Sequence, residues 1–124
     1  MVRTFIVFLS LFFTAAAGAA ERPFSVEAFA ALQRQGGPIL VFVHADWCPT
    51  CKKQDIILGE LLKEDDFANY SVLRVDFDSQ KDVVQSFGVK YQSTLIVFRG
   101  KTEVGRATAD TDRAAITALL RRAL

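Results

Sequence analysis

The chain has 124 residues, 51% of them hydrophobic and 23% charged, a globular balance with room for one domain. Lysine and arginine number 15 against 14 acidic residues, so neither a nucleic-acid partner nor a polycation is indicated by charge. Two cysteines and one histidine can supply neither a four-ligand Cys/His zinc site within one chain nor a multi-bridge disulfide scaffold.

Residues 1–20 have the three-part layout of a secretory signal peptide. Arg3 precedes an apolar run from Phe5 to Phe13, small residues fill Ala15 to Ala20, and the charged pair Glu21-Arg22 follows. Small side chains at −3 and −1 place the cut after Ala19 or Ala20. The apolar run is shorter than the roughly 20 residues of a spanning helix. No cysteine lies there to take a lipid anchor. The expected division is therefore a signal peptide over 1–20 and one domain over 21–124. The expected location is an exported one, the bacterial periplasm, with the protein soluble after cleavage. A cysteine pair can be oxidised there.

Ser25 is a good N-cap for a helix from Val26 to Gln35, with Phe29 and Leu32 on one face. Gly36-Gly37-Pro38 stops it. Ile39 to Val43 is a continuous apolar run, suited to a central strand buried on both faces. A second helix is expected from Pro49 to Glu64, with Ile57, Leu58, Leu61 and Leu62 as its apolar stripe. Ser71 to Phe77 reads as a strand. Asp78 then caps a short helix over Ser79–Phe87, which ends at Gly88. Thr94 to Phe98 and Glu103 to Thr108 form a hairpin across Gly100-Lys101. Asp110 or Thr111 caps a last helix that turns Ile116, Leu119 and Leu120 inward. Alternating strands and helices argue for parallel crossovers, and the hairpin adds an antiparallel edge. The expected class is α/β in three layers, with a mixed, mostly four-stranded sheet and helices on both faces.

The chemistry sits in Trp47-Cys48-Pro49-Thr50-Cys51, between the apolar strand and the second helix. With Cys48 as N-cap, Pro49 falls at N1, where a missing N–H costs nothing, and Cys51 at N3. The Cys48 sulfur then meets the unpaired N–H groups of the first turn, which favour a thiolate. Thiol pKa values fall to roughly 3.5–7.5 in such settings. This spacing predicts an exposed nucleophile at Cys48 and a sheltered resolving thiol at Cys51.

The segment Ile39 to Cys51, ILVFVHADWCPTC, resembles the active-site segment of the thioredoxin superfamily. Lys52-Lys53, Arg74 to Asp78, Phe87-Gly88-Val89 and Thr94 to Phe98 keep the family's spacing. With the leader, the chain is similar to exported thioredoxin-like proteins. The resemblance implies a thioredoxin-like fold and a thiol–disulfide oxidoreductase with Cys48–Cys51 as its redox-active disulfide. Cys48 would attack and Cys51 would resolve the mixed disulfide. Trp47, Pro49, Thr50, Ser93 and Thr94 would surround the site, and His44, Phe42 and Lys52 are candidates to tune it. Ser93 stands where the family usually has a cis-proline. A cis bond there would cost about 2.5–4 kcal/mol, so a trans peptide is expected. The Ser93 hydroxyl could lie near Cys48 or open a ligand position. Phe42 replaces a buried acid that relays a proton to the inner cysteine, so release of reduced substrate is expected to be slower. Ala109 lies near a position where the family commonly has glycine facing the site.

The expected substrates are protein or small-thiol disulfides. Thr50 brings no histidine charge between the cysteines, which favours a reductase or electron relay, with a membrane-embedded electron donor or acceptor as partner. No nucleotide, flavin or nicotinamide motif is present, so no cofactor is expected and the electrons pass through the sulfurs. Ser93 and Phe42 also motivate a rival: a thioredoxin-fold metal-binding or redox-inactive chaperone-like module, in which two chains share a metal.

Overall fold

The structure, a computed structural model, describes residues 19–124. The apolar run anticipated as a central strand is central: β2, Pro38–His44, is buried at all seven positions. Around it the chain lays down β1 (Ala20–Pro23), α1 (Val26–Gln35), α2 (Pro49–Leu61), a 3-10 turn over Asp65–Phe67, and β3 (Ser71–Asp76). It continues with α3 (Lys81–Ser86), β4 (Thr94–Arg99), β5 (Thr102–Thr108) and α4 (Arg113–Arg121). The sheet order is β1-β3-β2-β4-β5. β3 runs parallel to β1 and β2, and β4 runs antiparallel to β2 and β5.

Alternation along β2 divides the core into two layers. Leu40 and Phe42 face Leu58 and Leu61 of α2 and Ile116, Leu119 and Leu120 of α4, and both cysteines belong to this layer. Ile39, Val41 and Val43 face Leu32 of α1 and Val84 of α3. Phe24, Phe29, Phe87 and Phe98 fill the second layer with ring centroids 5.1–6.1 Å apart. Tyr70, fully buried, donates its hydroxyl to the Leu120 carbonyl at 2.6 Å and ties the base of β3 to α4.

The α/β thioredoxin-like layering stands, with corrections at the edges. The sheet has five strands, because Ala20–Pro23 pairs with β3 along Ala20↔Ser71 to Pro23↔Arg74. Nothing apolar marks this strand: its four residues are all exposed, and an edge strand needs no buried face. It ends on proline, which an edge tolerates. The helix expected to reach Glu64 stops at Leu61, and the chain turns before Asp65–Phe67. Asp78 does not cap α3, which starts at Lys81 after Gln80. The Asp76 carboxylate takes the N–H groups of Asp78 and Ser79 in the preceding turn instead. α4 is capped by Asp112, which accepts from Ala115 N–H at 3.0 Å, while Asp110 accepts from Asp112 N–H. Ser25 caps α1 as expected. Apart from Ala19 and Ala20, the expected signal peptide lies outside the described residues. Among the described residues no helix is long and apolar enough to cross a membrane.

Candidate functional site

β2 ends at His44, and four residues later the chain enters α2 through Cys48. Cys48 is the N-cap, with extended backbone (φ −85°, ψ 112°), and Pro49 follows inside the first turn. Its Sγ accepts the Cys51 N–H at 3.1 Å. This is the geometry the Cys-Pro-Thr-Cys spacing predicts. Sulfur replaces the usual hydroxyl or carboxylate cap, facing the positive end of the helix.

Burial differs from expectation at Cys48. Cys48 is 1% exposed and Cys51 0%, so neither thiol stands open to solvent. The cap bond draws the Cys48 sulfur inward over the first turn instead of leaving it at the surface. Both cysteines are free thiols. Burial pushes the Cys51 thiol up to about 11, and its hydrogen bond with Cys48 adds to the rise. The backbone N–H groups of Ala45 and Ser93 oppose it. Cys51 therefore holds its proton at neutral pH, within reach of the Cys48 sulfur.

Around the pair, Trp47 is 58% exposed and its indole N–H donates to Asp78 at 2.7 Å. Asp78 escaped the sequence reading as a site residue, because a helix cap seemed its natural use. Thr50 is half-buried and Lys52 exposed. Thr94 is buried; its hydroxyl donates to the Tyr91 carbonyl at 2.8 Å and pairs with Thr108 at 3.0 Å.

Ser93 is trans, since no cis peptide occurs among the described residues. It adopts a left-handed conformation at φ 59°, and Ala109 does the same at φ 60°. The two are joined by Ala109 N–H to the Ser93 carbonyl at 2.9 Å. The Ser93 hydroxyl turns back to the Gln92 carbonyl at 2.5 Å, so it is not presented to Cys48. A hydroxyl beside a carbonyl of its own turn is satisfied locally.

Phe42 is buried in the layer that holds both cysteines. The guanidinium of Arg74 lies over its ring at 5.3 Å, and His44 meets it edge-on at 5.2 Å. Asp55 on α2 supplies a carboxylate to both of these neighbours. Asp55 pairs with His44 Nε2 at 2.9 Å and accepts from Arg74 at 2.7 Å, and Arg74 also reaches Glu21 at 2.8 Å. Burial disfavours the Arg74 charge, but the hydrogen bonds to Asp55 and Glu21 outweigh it and hold its proton more tightly than usual. His44 is thus hydrogen-bonded to the Asp55–Arg74 ion pair, and its other ring nitrogen lies 3.8 Å from Asp46. Arg74 and Asp55 were missed in the sequence because they pair across 19 residues and from different elements.

Gln54 was also missed. It is fully buried on α2, one turn beyond Cys51, and its Nε2 donates to the carbonyls of Ser93 at 3.1 Å and Asp110 at 2.9 Å. The signal was present: Cys51, Gln54, Leu58 and Leu61 form the buried stripe of α2, and Gln54 breaks its apolarity.

Comparison with known proteins agrees with this geometry. The thioredoxin family profile matches residues 22–122. Thioredoxin from Chlamydia muridarum is 31% identical over 84 residues, covering 68% of this chain and 80% of that one. The crystal structure of Trxlp from Edwardsiella tarda superposes with a TM-score of 0.79 at 41% identity, covering 82% of this chain and 98% of that one. Thioredoxin from Malassezia sympodialis shares the fold, with a TM-score of 0.73 at 17% identity over 91% of this chain and 97% of that one. With a Cys-x-x-Cys pair at a strand-to-helix junction, a five-stranded mixed sheet and a family match over nearly all the described residues, the chain belongs to the thioredoxin family and is a thiol–disulfide oxidoreductase.

Proposed function

We propose that this oxidoreductase works outside the cytosol as a reductase or electron relay, with Cys48 as nucleophile and Cys51 as resolving thiol. The cap bond from Cys51 N–H to Cys48 Sγ carries the assignment of roles. It sets the helix N-terminus against the Cys48 sulfur, whereas burial keeps Cys51 protonated until it is needed. Cys48 gives its proton to solvent and as thiolate attacks one sulfur of a substrate disulfide, and the other sulfur leaves as a thiolate that takes a proton back from solvent. Cys51 then loses its proton, attacks the Cys48 sulfur and expels the second substrate thiolate, which is protonated in turn. Two electrons and two protons pass to the substrate, and the Cys48–Cys51 disulfide remains.

Deprotonating Cys51 is the demanding part. Phe42 offers no carboxylate, so the departing substrate thiolate is the natural proton acceptor. This supports slow release of reduced substrate. Because Cys48 is buried, substrate must first uncover it, and Trp47 is the exposed side chain next to it. Trp47, Pro49, Thr50, Ser93 and Thr94 form the surround in this reading, with His44 and Lys52 as tuning groups. Export rests on the composition of residues 1–20, and a partner at the membrane follows from export, because a periplasmic protein must be re-reduced there.

Cys48→Ser should abolish dithiol-dependent reduction of a protein disulfide, and Cys51→Ser should accumulate mixed disulfides. Full reduction by the Cys48→Ser protein would overturn the assignment. The second reading, a metal-binding or redox-inactive chaperone-like module, is favoured in its redox-inactive form by one observation, the burial of both sulfurs, which also keeps them from a metal shared with a second chain. The redox-inactive form predicts partner binding that survives loss of both cysteines, and the metal-binding form one ion per two chains.

A further inference from the structure

Ser93 and Ala109 both adopt left-handed backbone, a conformation that side chains other than glycine take at a cost. They sit on different segments, before β4 and after β5, and are bonded to each other through Ala109 N–H and the Ser93 carbonyl. Such paired strain persists only where the surroundings over-determine it. Besides the β4–β5 ladder, which pairs Thr94 with Thr108 next to them, Gln54 ties the two segments. Its Nε2 reaches from α2 to the carbonyls of both segments, at Ser93 and at Asp110. The amide can point only this way round, since flipping it would set its oxygen against two carbonyl oxygens.

The cost is visible on the same side chain. Gln54 is fully buried, yet its Oε1 has no hydrogen-bond partner among the described residues. A leucine there would fill the apolar stripe of α2 without that orphan, but it would take the donor from the Ser93 and Asp110 carbonyls. A buried amide kept at that cost calls for a use of its donor. The Ser93 turn supplies one: Gln54 stands one turn from Cys51 on the same buried stripe of α2, so the turn it holds is kept close to the resolving thiol.

We propose that Gln54 is a positioning residue for the resolving step. It clamps the Ser93 and Asp110 carbonyls so that the Ser93 turn stays against Cys51. It touches neither substrate nor sulfur in this role; it acts through the backbone it holds. The proposal rests on Cys51 being the resolving thiol, as assigned above.

Two rates separate this role from simple packing. Attack by Cys48 is read from its rate of alkylation by iodoacetamide. Resolution is read from a mixed disulfide prepared between Cys48 and thionitrobenzoate, whose release by Cys51 is followed by absorbance. In Gln54→Met, which keeps length and loses the donor, resolution should slow by roughly tenfold, the effect of losing a buried hydrogen bond. Alkylation of Cys48 should change by less than about twofold on the same scale. Gln54→Glu, neutral between two carbonyl oxygens in a fully buried site, keeps one donor and should fall between wild type and Gln54→Met. Equal resolution rates in all three proteins would overturn the proposal. So would a parallel slowing of both steps in the two variants, which marks general loosening of the site. If the wild-type mixed disulfide is itself never resolved by Cys51, the assignment of Cys51 fails rather than the clamp.

Discussion

Removing the Cys51 thiol should change how the reduced protein responds to alkali. The folded structure raises the Cys51 thiol from 9.0 to about 11, chiefly by burial and then by its bond with Cys48. Below pH 9 both folded and unfolded chains carry the proton, and the contribution of this group to stability is fully present. Between pH 9 and about 11 the unfolded chain releases it while the folded chain retains it, so stability falls as pH rises. Two pH units at about 1.4 kcal/mol each give about 3 kcal/mol lost across the window. Cys51→Ala has no such group, and its own penalty, a small cavity in the α2 face, does not vary with pH. Tyr70, also raised by burial, titrates identically in both proteins and cancels. The assay is urea unfolding of reduced wild type and reduced Cys51→Ala at steps from pH 8 to pH 11. At a slope of roughly 1–3 kcal/mol per molar urea, the gap between their midpoints should close by about 1–3 M over the window. A gap that stays constant would refute the reasoning, because it would mean that Cys51 gives up its proton as easily folded as unfolded.

Three further outcomes are expected. Asp55→Ala leaves His44 and Arg74 without their shared partner, and with Arg74 and Asp55 each about one-third exposed the loss should be about 1–2 kcal/mol, seen as a lower thermal midpoint. Asp78→Ala frees the indole of Trp47, the single tryptophan, so intrinsic fluorescence reads the change directly. If Trp47 is substrate surface, KM for a protein disulfide should rise by roughly threefold to tenfold with kcat nearly unchanged. Gly100→Ala places a methyl 3.1 Å from the Gly36 backbone at a φ of +57°, and calorimetry should show a loss of about 1–3 kcal/mol.

Much of this was legible where one segment carries its own signal. The apolar run before the cysteines could only be a central strand, and Pro49 between Cys48 and Cys51 fixed the cap and the start of α2. The trans Ser93 followed from the cost of a cis bond before a non-proline residue. What stayed hidden depends on contacts between distant segments. β1 is a strand only because β3 offers it an edge, and its polar sequence says nothing of that. Gln54 reads as one polar residue in an otherwise apolar stripe until the Ser93 and Asp110 carbonyls converge on it. The His44–Asp55–Arg74 network joins β2, α2 and β3. Asp78 looked like a cap because aspartate before a helix usually is one, but its carboxylate is taken by Trp47. The exposure expected of Cys48 failed for a related reason: spacing tells that sulfur meets helix, not how deep the junction lies.

The reduction potential of the Cys48–Cys51 pair is the most direct test of the central claim. The purified domain would be equilibrated in thiol buffers of graded potential, trapped by alkylation and read by mass. The account predicts one two-electron transition confined to Cys48 and Cys51 with a midpoint below about −240 mV, on the reducing side where thioredoxin lies at about −270 mV. A midpoint above about −180 mV would contradict the reductase direction, and failure of the two sulfurs to bond at any potential would contradict the redox pair itself.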